Sequence, residues 1–216
     1  MAGIDKPLTP GAALGNPDLP EQTRSVYERH AAGFDANRSR AFFEARWLAR
    51  FARDLPARGR VLDLGCGSGQ PIAAWLIGEG FALTGMDFAE PMLAIARDRW
   101  PGGDWRQGDM RALDLPDRFD GIVGWNSFFH LTQDEQRACL PRLAAHLAPG
   151  GVLMVTVGPS DGEVTGTVEG ETVYHSSLSP AEYVTRLDQA GMQLTAFLAD
   201  DPDCAGHSVL MARKTA

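Results

Sequence analysis

From Gly59 onward the sequence alternates between two kinds of segment. Short runs rich in leucine or β-branched residues are separated by amphipathic stretches typical of helices. This alternation predicts an α/β fold with a mainly parallel sheet and helices on both faces, because parallel strands need a crossover connection, usually a helix. The predicted strands are RVLDL, FALTGMD, DWRQGD, FDGIVGW, GVLMVTVG, MQLTAFLA and HSVLMAR, and the predicted helices are PIAAWLIGE, EPMLAIARDRW, residues 133–147 and AEYVTRLDQAG.

Two segments depart from this alternation. The last two predicted strands are joined only by DDPDCAG, which is too short for a helical crossover, so this pair should be antiparallel. Residues 158–179 are long for a connection in a compact α/β domain, and ordered insertions of that length are often functional. Within them, VTGTV and ETVYH predict a small hairpin that turns at Glu169 and Gly170.

The chain before Gly59 divides into two parts. Residues 1–20 are rich in proline and glycine and predict a flexible arm. Residues 21–56 contain two stretches with apolar residues spaced three and four apart, which predict two helices lying against the rest of the protein. A chain of 216 residues is long enough for one well-buried domain, so residues 21–216 are predicted to form one.

Composition predicts the setting and the class of partner. Twenty basic and twenty-eight acidic residues give a formal net charge of −8, and a negative field argues against a nucleic-acid partner. Cys66, Cys139 and Cys204 lack metal-ligand spacing, which predicts no disulfide framework and no zinc site and indicates a reducing, cytoplasmic setting. The sequence predicts no metal site of other kinds, no export signal and no membrane span, and it leaves the oligomeric state open.

The loop DLGCGSGQ at residues 63–70 predicts a ligand site. Ligands of open α/β sheets bind at the carboxyl ends of the strands, and glycines there let a ligand contact the backbone. The spacing is GxGxG rather than the GxGxxG of dinucleotide loops, and the GK[ST] ending of a phosphate-binding loop is absent. Asp63, just before the glycines, suits a cationic ligand group better than a pyrophosphate.

Acidic residues also end the next two predicted strands. A carboxylate at Asp87 can accept hydrogen bonds from both hydroxyls of a ribose. Asp109, after the third strand, could accept from the exocyclic amine of an adenine, while Met110 offers a backbone N–H to a ring nitrogen. These positions predict an adenosyl ligand, but the ribose position alone does not separate a nicotinamide cofactor from other adenosyl cofactors.

With these motifs in order, the chain from Tyr27 to its end resembles the class I S-adenosylmethionine-dependent methyltransferases. The matching segments are VLDLGCGSG, LTGMDFAEPML, GDMRALDLPDRFDGIV and LAPGGVLMVTV. The resemblance implies a Rossmann-like seven-stranded sheet of strand order 3214576 with the last strand antiparallel. It also implies S-adenosyl-L-methionine as cofactor, S-adenosyl-L-homocysteine as product, and transfer of a methyl group to oxygen or nitrogen of a small molecule.

The resemblance further implies roles for individual residues. The Gly65 carbonyl would take the ammonium of the cofactor, and Tyr27 would close over the cofactor, with Arg46 as a candidate partner of its carboxylate. The cofactor-binding residues that the resemblance implies are Tyr27, Gly65, Cys66, Gly67, Gly69, Asp87, Phe88, Met92, Asp109, Met110, Asn126 and Ser127.

Methyl transfer to a hydroxyl or a protonated amine requires a base. His130, just beyond the fourth strand, is the first candidate because imidazole titrates near neutral pH. The competing interpretation is a structural histidine bonded to backbone. His175 in the insertion is the second candidate, and the predicted acceptor-binding residues are Trp125, Tyr174 and His175.

Two other functions stay open on the sequence alone. One is a nicotinamide-dependent oxidoreductase, which the glycine spacing and Asp109 disfavour. The other is a protein that binds S-adenosylmethionine without transferring its methyl group. The segment WNSF stands where methyltransferases acting on DNA carry [ND]PP[YF], which also favours a small-molecule acceptor.

Overall fold

In a computed structural model, residues 16–215 are described. Seven of its strands form one sheet, and two form a separate hairpin. The strands are β1 (Arg60–Leu64), β2 (Ala82–Asp87), β3 (Asp104–Gln107), β4 (Phe119–Gly124), β5 (Leu147–Val157), β6 (Gly162–Val168), β7 (Glu171–Ser177), β8 (Met192–Asp201) and β9 (His207–Lys214).

The order of the large sheet is β3-β2-β1-β4-β5-β9-β8. Strands β1 to β5 pair in parallel, whereas β9 is antiparallel to both β5 and β8. Without the hairpin strands, this is the predicted order 3214576 with its antiparallel final strand, so the fold prediction is confirmed. The predicted hairpin is also confirmed, because β6 and β7 pair in register from Gly162 with Ser177 to Val168 with Glu171.

Six α-helices surround the sheet within the described range. They are α1 (Leu19–Asn37), α2 (Ala45–Arg53), α3 (Ile72–Gly78), α4 (Glu90–Arg99), α5 (Gln133–His146) and α6 (Pro180–Gln189). Helix α1 begins slightly before the predicted position, since Pro20 in the first turn costs no intrahelical hydrogen bond. Residues 1–15 of the predicted arm lie outside the described residues. No helix within residues 16–215 is long and apolar enough to span a bilayer.

Both faces of the sheet are buried. On one face Leu62 and Ile122 pack with residues of α5 and α6. On the other face Val61 and Val123 pack with residues of α2 and α3. Because successive strand residues point to opposite faces, the apolar runs of β1 and β4 supply both layers. The carboxyl ends of these strands lead into loops, and the ligand site is built from those loops.

Candidate cofactor and active site

A cavity of about 920 Å³, its open mouth included, lies between α1 and the loops that follow β1 to β4. The predicted residues that line it are Tyr27, Gly65, Gly67, Asp87, Phe88, Met92, Asp109, Met110, Trp125, Asn126, Ser127 and His130. Six residues that the sequence analysis singles out are not among the lining residues, namely Arg46, Asp63, Cys66, Gly69, Tyr174 and His175.

The glycines of the loop after β1 serve different purposes. Gly65 has φ +75°, and a Cβ there would lie 2.3 Å from the Cβ of Ser127. The Ser127 hydroxyl donates to the Leu64 carbonyl at 2.6 Å, which holds the β4 loop against the end of β1. Gly67 has φ +52°, but the nearest atom to an added Cβ is Met92 Sδ at 4.0 Å. Packing within the protein therefore requires glycine at Gly65, whereas Gly67 leaves cavity space.

Gly69 and Cys66 face the protein rather than the cavity. A Cβ on Gly69 would lie 2.7 Å from the Trp100 ring. The Cys66 side chain is buried in a cluster with Trp105. Burial raises the pKa of the Cys66 thiol well above its ordinary value, with Asp87 adding to the effect. The thiol is therefore protonated at neutral pH and unsuited to act as a nucleophile.

Two buried carboxyl groups lie next to this loop. Asp87 accepts hydrogen bonds from the backbone N–H groups of Gly67 and Ala89, both at 2.8 Å. Burial raises the pKa of Asp87 to about 6, against the effect of those N–H groups. Burial raises the pKa of Asp63 to about 7, opposed by Arg38. Asp63 Oδ2 is buried and has no hydrogen-bond partner among residues 16–215, so this carboxyl could accept a bond from a cationic ligand.

The carboxylate of Asp109, which is predicted to contact adenine, forms ion pairs with two guanidinium groups. Asp109 Oδ2 lies 2.7 Å from Arg111 Nη2 and 3.2 Å from Arg24 Nη1. The Arg24 guanidinium also lies 5.0 Å from the centre of the Phe88 ring. Burial raises the pKa of Asp109, but its contacts with Arg111 and Arg24 hold that pKa below its ordinary value. Asp109, Arg111 and Arg24 all line the cavity.

The prediction for Arg46 is wrong. Its side chain is 67% exposed and pairs with Asp203 in the turn between β8 and β9. Arg38, just after α1, lines the cavity instead. Its Nη2 lies 3.8 Å from Glu44 Oε1, and burial lowers the pKa of the guanidinium. A half-buried cation with so distant a partner is suited to bind an anionic ligand group.

Tyr27 and His130 meet at the wall of the cavity. His130 Nδ1 lies 2.8 Å from the Tyr174 carbonyl oxygen, and His130 Nε2 lies 2.9 Å from Tyr27 Oη. A carbonyl only accepts hydrogen bonds, so Nδ1 carries the proton of the neutral ring, and Nε2 accepts from the tyrosine hydroxyl. Burial lowers the pKa of His130 to about 4, although the bond to Tyr174 acts in the opposite direction.

His175 and the Tyr174 side chain lie beyond this pair. The His175 ring packs on His130 and Phe129, with centroid separations of 4.9 Å and 4.7 Å. Burial lowers the pKa of His175 well below its ordinary value, and His130 adds to the shift. The Tyr174 hydroxyl donates to Glu163 on β6 at 2.6 Å. Neither residue is among those that line the cavity, and their contact with an acceptor stays a prediction.

Helix α1 is fastened across the cavity from both sides. Arg29 and His30 pair with Glu171 on the hairpin. Asp35 pairs with Arg99 of α4. The lining residues that the sequence did not predict are Pro20, Thr23, Arg24, Phe34, Arg38, Met86, Gly108, Arg111, Leu131 and Glu135. Only helical spacing, such as the four residues between Thr23 and Tyr27, could have indicated the members on α1.

Within residues 16–215, no group of three or more histidine, cysteine or acidic side chains is arranged to hold a metal ion. The atoms that the site offers to a ligand are instead hydrogen-bonding ones. Buried side-chain atoms without a partner in this part of the chain include Asn126 Oδ1 and Trp125 Nε1, both on residues that line the cavity.

Comparisons with known proteins agree with this architecture. The sequence model of the family described as "Methyltransferase domain" matches residues 61–151. The dTDP-4-amino-2,3,4,6-tetradeoxy-D-glucose N,N-dimethyltransferase of Saccharopolyspora spinosa is 33% identical over 167 residues, which cover 70% of this chain and 67% of that protein. The dTDP-3-amino-3,6-dideoxy-alpha-D-glucopyranose N,N-dimethyltransferase of Streptomyces fradiae is 37% identical over 106 residues, and the match covers 48% of this chain and 41% of that protein.

A solved structure extends the similarity to nearly the whole chain. The 1,6-didemethyltoxoflavin-N1-methyltransferase of Burkholderia thailandensis, with S-adenosylhomocysteine bound, superposes with a TM-score of 0.71 at 24% identity, covering 96% of this chain and 95% of that one. At this identity the likeness concerns the fold. The sheet order, the glycine loop and the sequence matches together show that the chain belongs to the class I S-adenosylmethionine-dependent methyltransferases.

Proposed function

We propose that this protein transfers a methyl group from S-adenosyl-L-methionine to oxygen or nitrogen of a small-molecule acceptor. The observation that carries the proposal is the single cavity in which the glycine loop, Asp87 and the Tyr27–His130 pair face one another. Relatives named as aminosugar N,N-dimethyltransferases support the class of reaction. The aminosugars in these names are the acceptors of those relatives, and we do not assign them to this protein.

The residues present fit this cofactor. Asp63, with an unpaired buried oxygen, and the Gly65 carbonyl would hold its ammonium. Arg38 would hold its carboxylate, and Asp87 would hold its ribose. A Cβ at Gly67 would project into space that the ligand needs. The other residues proposed to contact the cofactor are Tyr27, Phe88, Met92, Met110, Asn126 and Ser127.

When bound, the cofactor supplies an activated methyl group whose transfer is an in-line displacement. The protein then has to align the acceptor, exclude water and accept a proton. Helix α1 covers the cavity, and its Tyr27 lies beside His130. This wall of the site could therefore both exclude water and accept a proton. We therefore propose His130 as the terminal proton acceptor. The His175 ring packs against the His130 ring.

The setting and partners are part of the proposal. The negative net charge of −8 supports a small-molecule acceptor rather than a nucleic acid. Three buried, unpaired cysteines are compatible with a reducing, cytoplasmic setting. A nicotinamide-dependent oxidoreductase is the second candidate, but the GxGxG spacing does not match a dinucleotide loop.

Replacing Asp87 by alanine should weaken cofactor binding. The change removes the acceptor for the Gly67 N–H and the proposed acceptor for the ribose, so we expect a loss of about 1–3 kcal/mol in the affinity for S-adenosylhomocysteine. Isothermal titration calorimetry measures it. Asp188→Ala, at an exposed position on α6, is the control and should bind as the wild type does. Equal affinity of both variants would remove Asp87 from the site.

A transfer assay tests the reaction itself. The protein is incubated with methyl-labelled S-adenosylmethionine and a panel of small amines, alcohols and carboxylic acids. We expect label in at least one acceptor, together with an equal amount of S-adenosylhomocysteine. Binding of S-adenosylhomocysteine without labelling of any member of the panel would instead support the alternative that the protein binds the cofactor but does not transfer its methyl group.

A further inference from the structure

We propose that Tyr27 is the residue that contacts the methyl acceptor, and that the accepting atom must carry a proton as an N–H or O–H group. This inference rests on the proposed methyltransferase function and goes beyond it in naming the acceptor chemistry. In this arrangement His130 acts through Tyr27 rather than on the acceptor directly.

The direction of the hydrogen-bond chain follows from its last member. The Tyr174 carbonyl can only accept, so His130 donates through Nδ1 and accepts through Nε2. Tyr27 has one hydroxyl proton, and this geometry commits it to His130 Nε2. Only the lone pairs of Tyr27 Oη then remain for a ligand. A group that binds to Tyr27 must therefore donate a hydrogen bond.

A second acceptor lies in the same cavity wall. Asn126 Oδ1 is buried and has no partner among residues 16–215. The residue has φ +52°, in the left-handed region that non-glycine residues rarely adopt. Its backbone N–H donates to Thr156 Oγ1 at 2.7 Å, which fixes this conformation. Tyr27 Oη and Asn126 Oδ1 both offer lone pairs, a pairing suited to a donor group.

Trp125 also lines the cavity, but its indole ring packs in the apolar cluster with Trp47 and lies 5.6 Å from the His207 ring. Recognition of the acceptor therefore rests on Tyr27 Oη and Asn126 Oδ1. Both offer lone pairs, so the cavity favours a polar acceptor whose reacting group is the hydrogen-bond donor.

The proton balance of the step is complete without another reactant. A bond forms between the acceptor atom and the methyl carbon while the bond from that carbon to sulfur breaks, and its electron pair stays on sulfur. The acceptor's proton passes to Tyr27 Oη as the Tyr27 proton passes to His130 Nε2. His130 becomes an imidazolium that still donates to the Tyr174 carbonyl, and it later releases the proton to water.

Charged and titratable groups on the neighbouring elements favour this starting state. Burial and the nearby Asp87 raise the pKa of Tyr27, opposed by Arg38, so its hydroxyl remains protonated at neutral pH. Burial lowers the pKa values of both His130 and His175, so both rings are neutral there. Glu135 lines the same cavity, and its side chain is held by Arg111 and by the Thr132 N–H.

Nitrogen-15 NMR of the histidine side chains tests the chain of hydrogen bonds without an acceptor. We expect the Nδ1–H tautomer of His130 between pH 6 and 8, in the free protein and with S-adenosylhomocysteine bound; His130→Gln assigns the signal. Because Tyr27 stabilises the neutral ring, Tyr27→Phe should raise the pKa of His130. An Nε2–H tautomer, or a titration of His130 unchanged by Tyr27→Phe, would overturn the proposal.

Turnover with the same labelled panel provides the second test. Tyr27→Phe keeps the aromatic ring, so we expect nearly unchanged affinity for S-adenosylhomocysteine but about 10²-fold lower kcat with amines or alcohols. Tyr183→Phe, whose hydroxyl bonds Gln136 away from the cavity, should keep wild-type turnover. Transfer to carboxylates alone, or unchanged kcat in Tyr27→Phe, overturns this proposal but leaves methyl transfer standing. No transfer by the wild type overturns both.

Discussion

Replacing Gly65 by alanine should destabilise the protein by about 2–5 kcal/mol and abolish cofactor binding. The residue has φ +75°, and the added Cβ would lie 2.3 Å from Ser127 Cβ. The left-handed conformation costs alanine about 1–2 kcal/mol, and overpacking adds about 1–3 kcal/mol. Urea unfolding measures the loss of stability, and calorimetry with S-adenosylhomocysteine measures the loss of binding.

Two other glycines separate the causes. Gly80 has φ +86° with nothing within 4 Å of an added Cβ, so Gly80→Ala carries the backbone strain without the collision and should cost only about 1–2 kcal/mol. Gly67→Ala should fold about as well as Gly80→Ala, yet lose cofactor affinity because its Cβ enters the cavity. Equal stability of Gly65→Ala and Gly80→Ala would show that the contact with Ser127 is unimportant.

Replacing Asp63 by asparagine should stabilise the cofactor-free protein at pH 8 and weaken cofactor binding. Burial raises the pKa of Asp63 from 3.8 to about 7, so the native state binds a proton more tightly than the unfolded chain. Stability is therefore fully present below about pH 4 and falls as the pH rises through 7, by at most about 4 kcal/mol. Asparagine cannot ionise and removes this dependence.

Unfolding free energies at pH 5 and pH 8 test this. Asp87, whose pKa is about 6, acts in the same direction and remains in the variant. His130 acts oppositely, because its pKa falls from 6.5 to about 4, so its contribution is present above pH 6.5 and is lost as the pH falls. We expect a smaller loss of stability between pH 5 and pH 8 in Asp63→Asn than in the wild type. An equal loss would mean that Asp63 is not buried as described.

The sheet could be predicted from sequence because each strand carries its own signal. Apolar runs such as β1 and β5 are separated by amphipathic stretches, and the short link DDPDCAG leaves only an antiparallel pairing for β8 and β9. The helix before the sheet was less well bounded. The segment before Ala45 has helix-forming residues but forms a turn, in which the Ala45 N–H bonds the Phe42 carbonyl.

Site residues at strand ends could also be predicted from the sequence, because parallel strands bring their carboxyl ends to one edge of the sheet. Gly65, Asp87 and Asp109 follow this rule and line one cavity. The contacts made by α1 could not be predicted from the sequence, because no local sequence pattern determines how a helix that precedes the sheet packs across it. The sequence therefore does not predict Arg24 and Arg38 as site residues, and it indicates the exposed Arg46 as the partner of the cofactor carboxylate instead.

The proton path of His130 depends on the insertion in the same way. Sequence indicates an imidazole near the fourth strand, but the Tyr174 carbonyl that determines its tautomer comes from β7. Tyr27 comes from α1, 103 residues away in the chain. Such pairings result from tertiary packing, so only a structure could join the three residues.

Calorimetric titration of the wild-type protein with S-adenosylhomocysteine, and in parallel with NADH, is the direct test of which adenosyl cofactor the cavity binds. We expect saturable one-site binding of S-adenosylhomocysteine, weakened in Asp87→Ala, and no heat of binding for NADH. Binding of NADH with no response to either S-adenosylmethionine or S-adenosylhomocysteine would contradict this expectation.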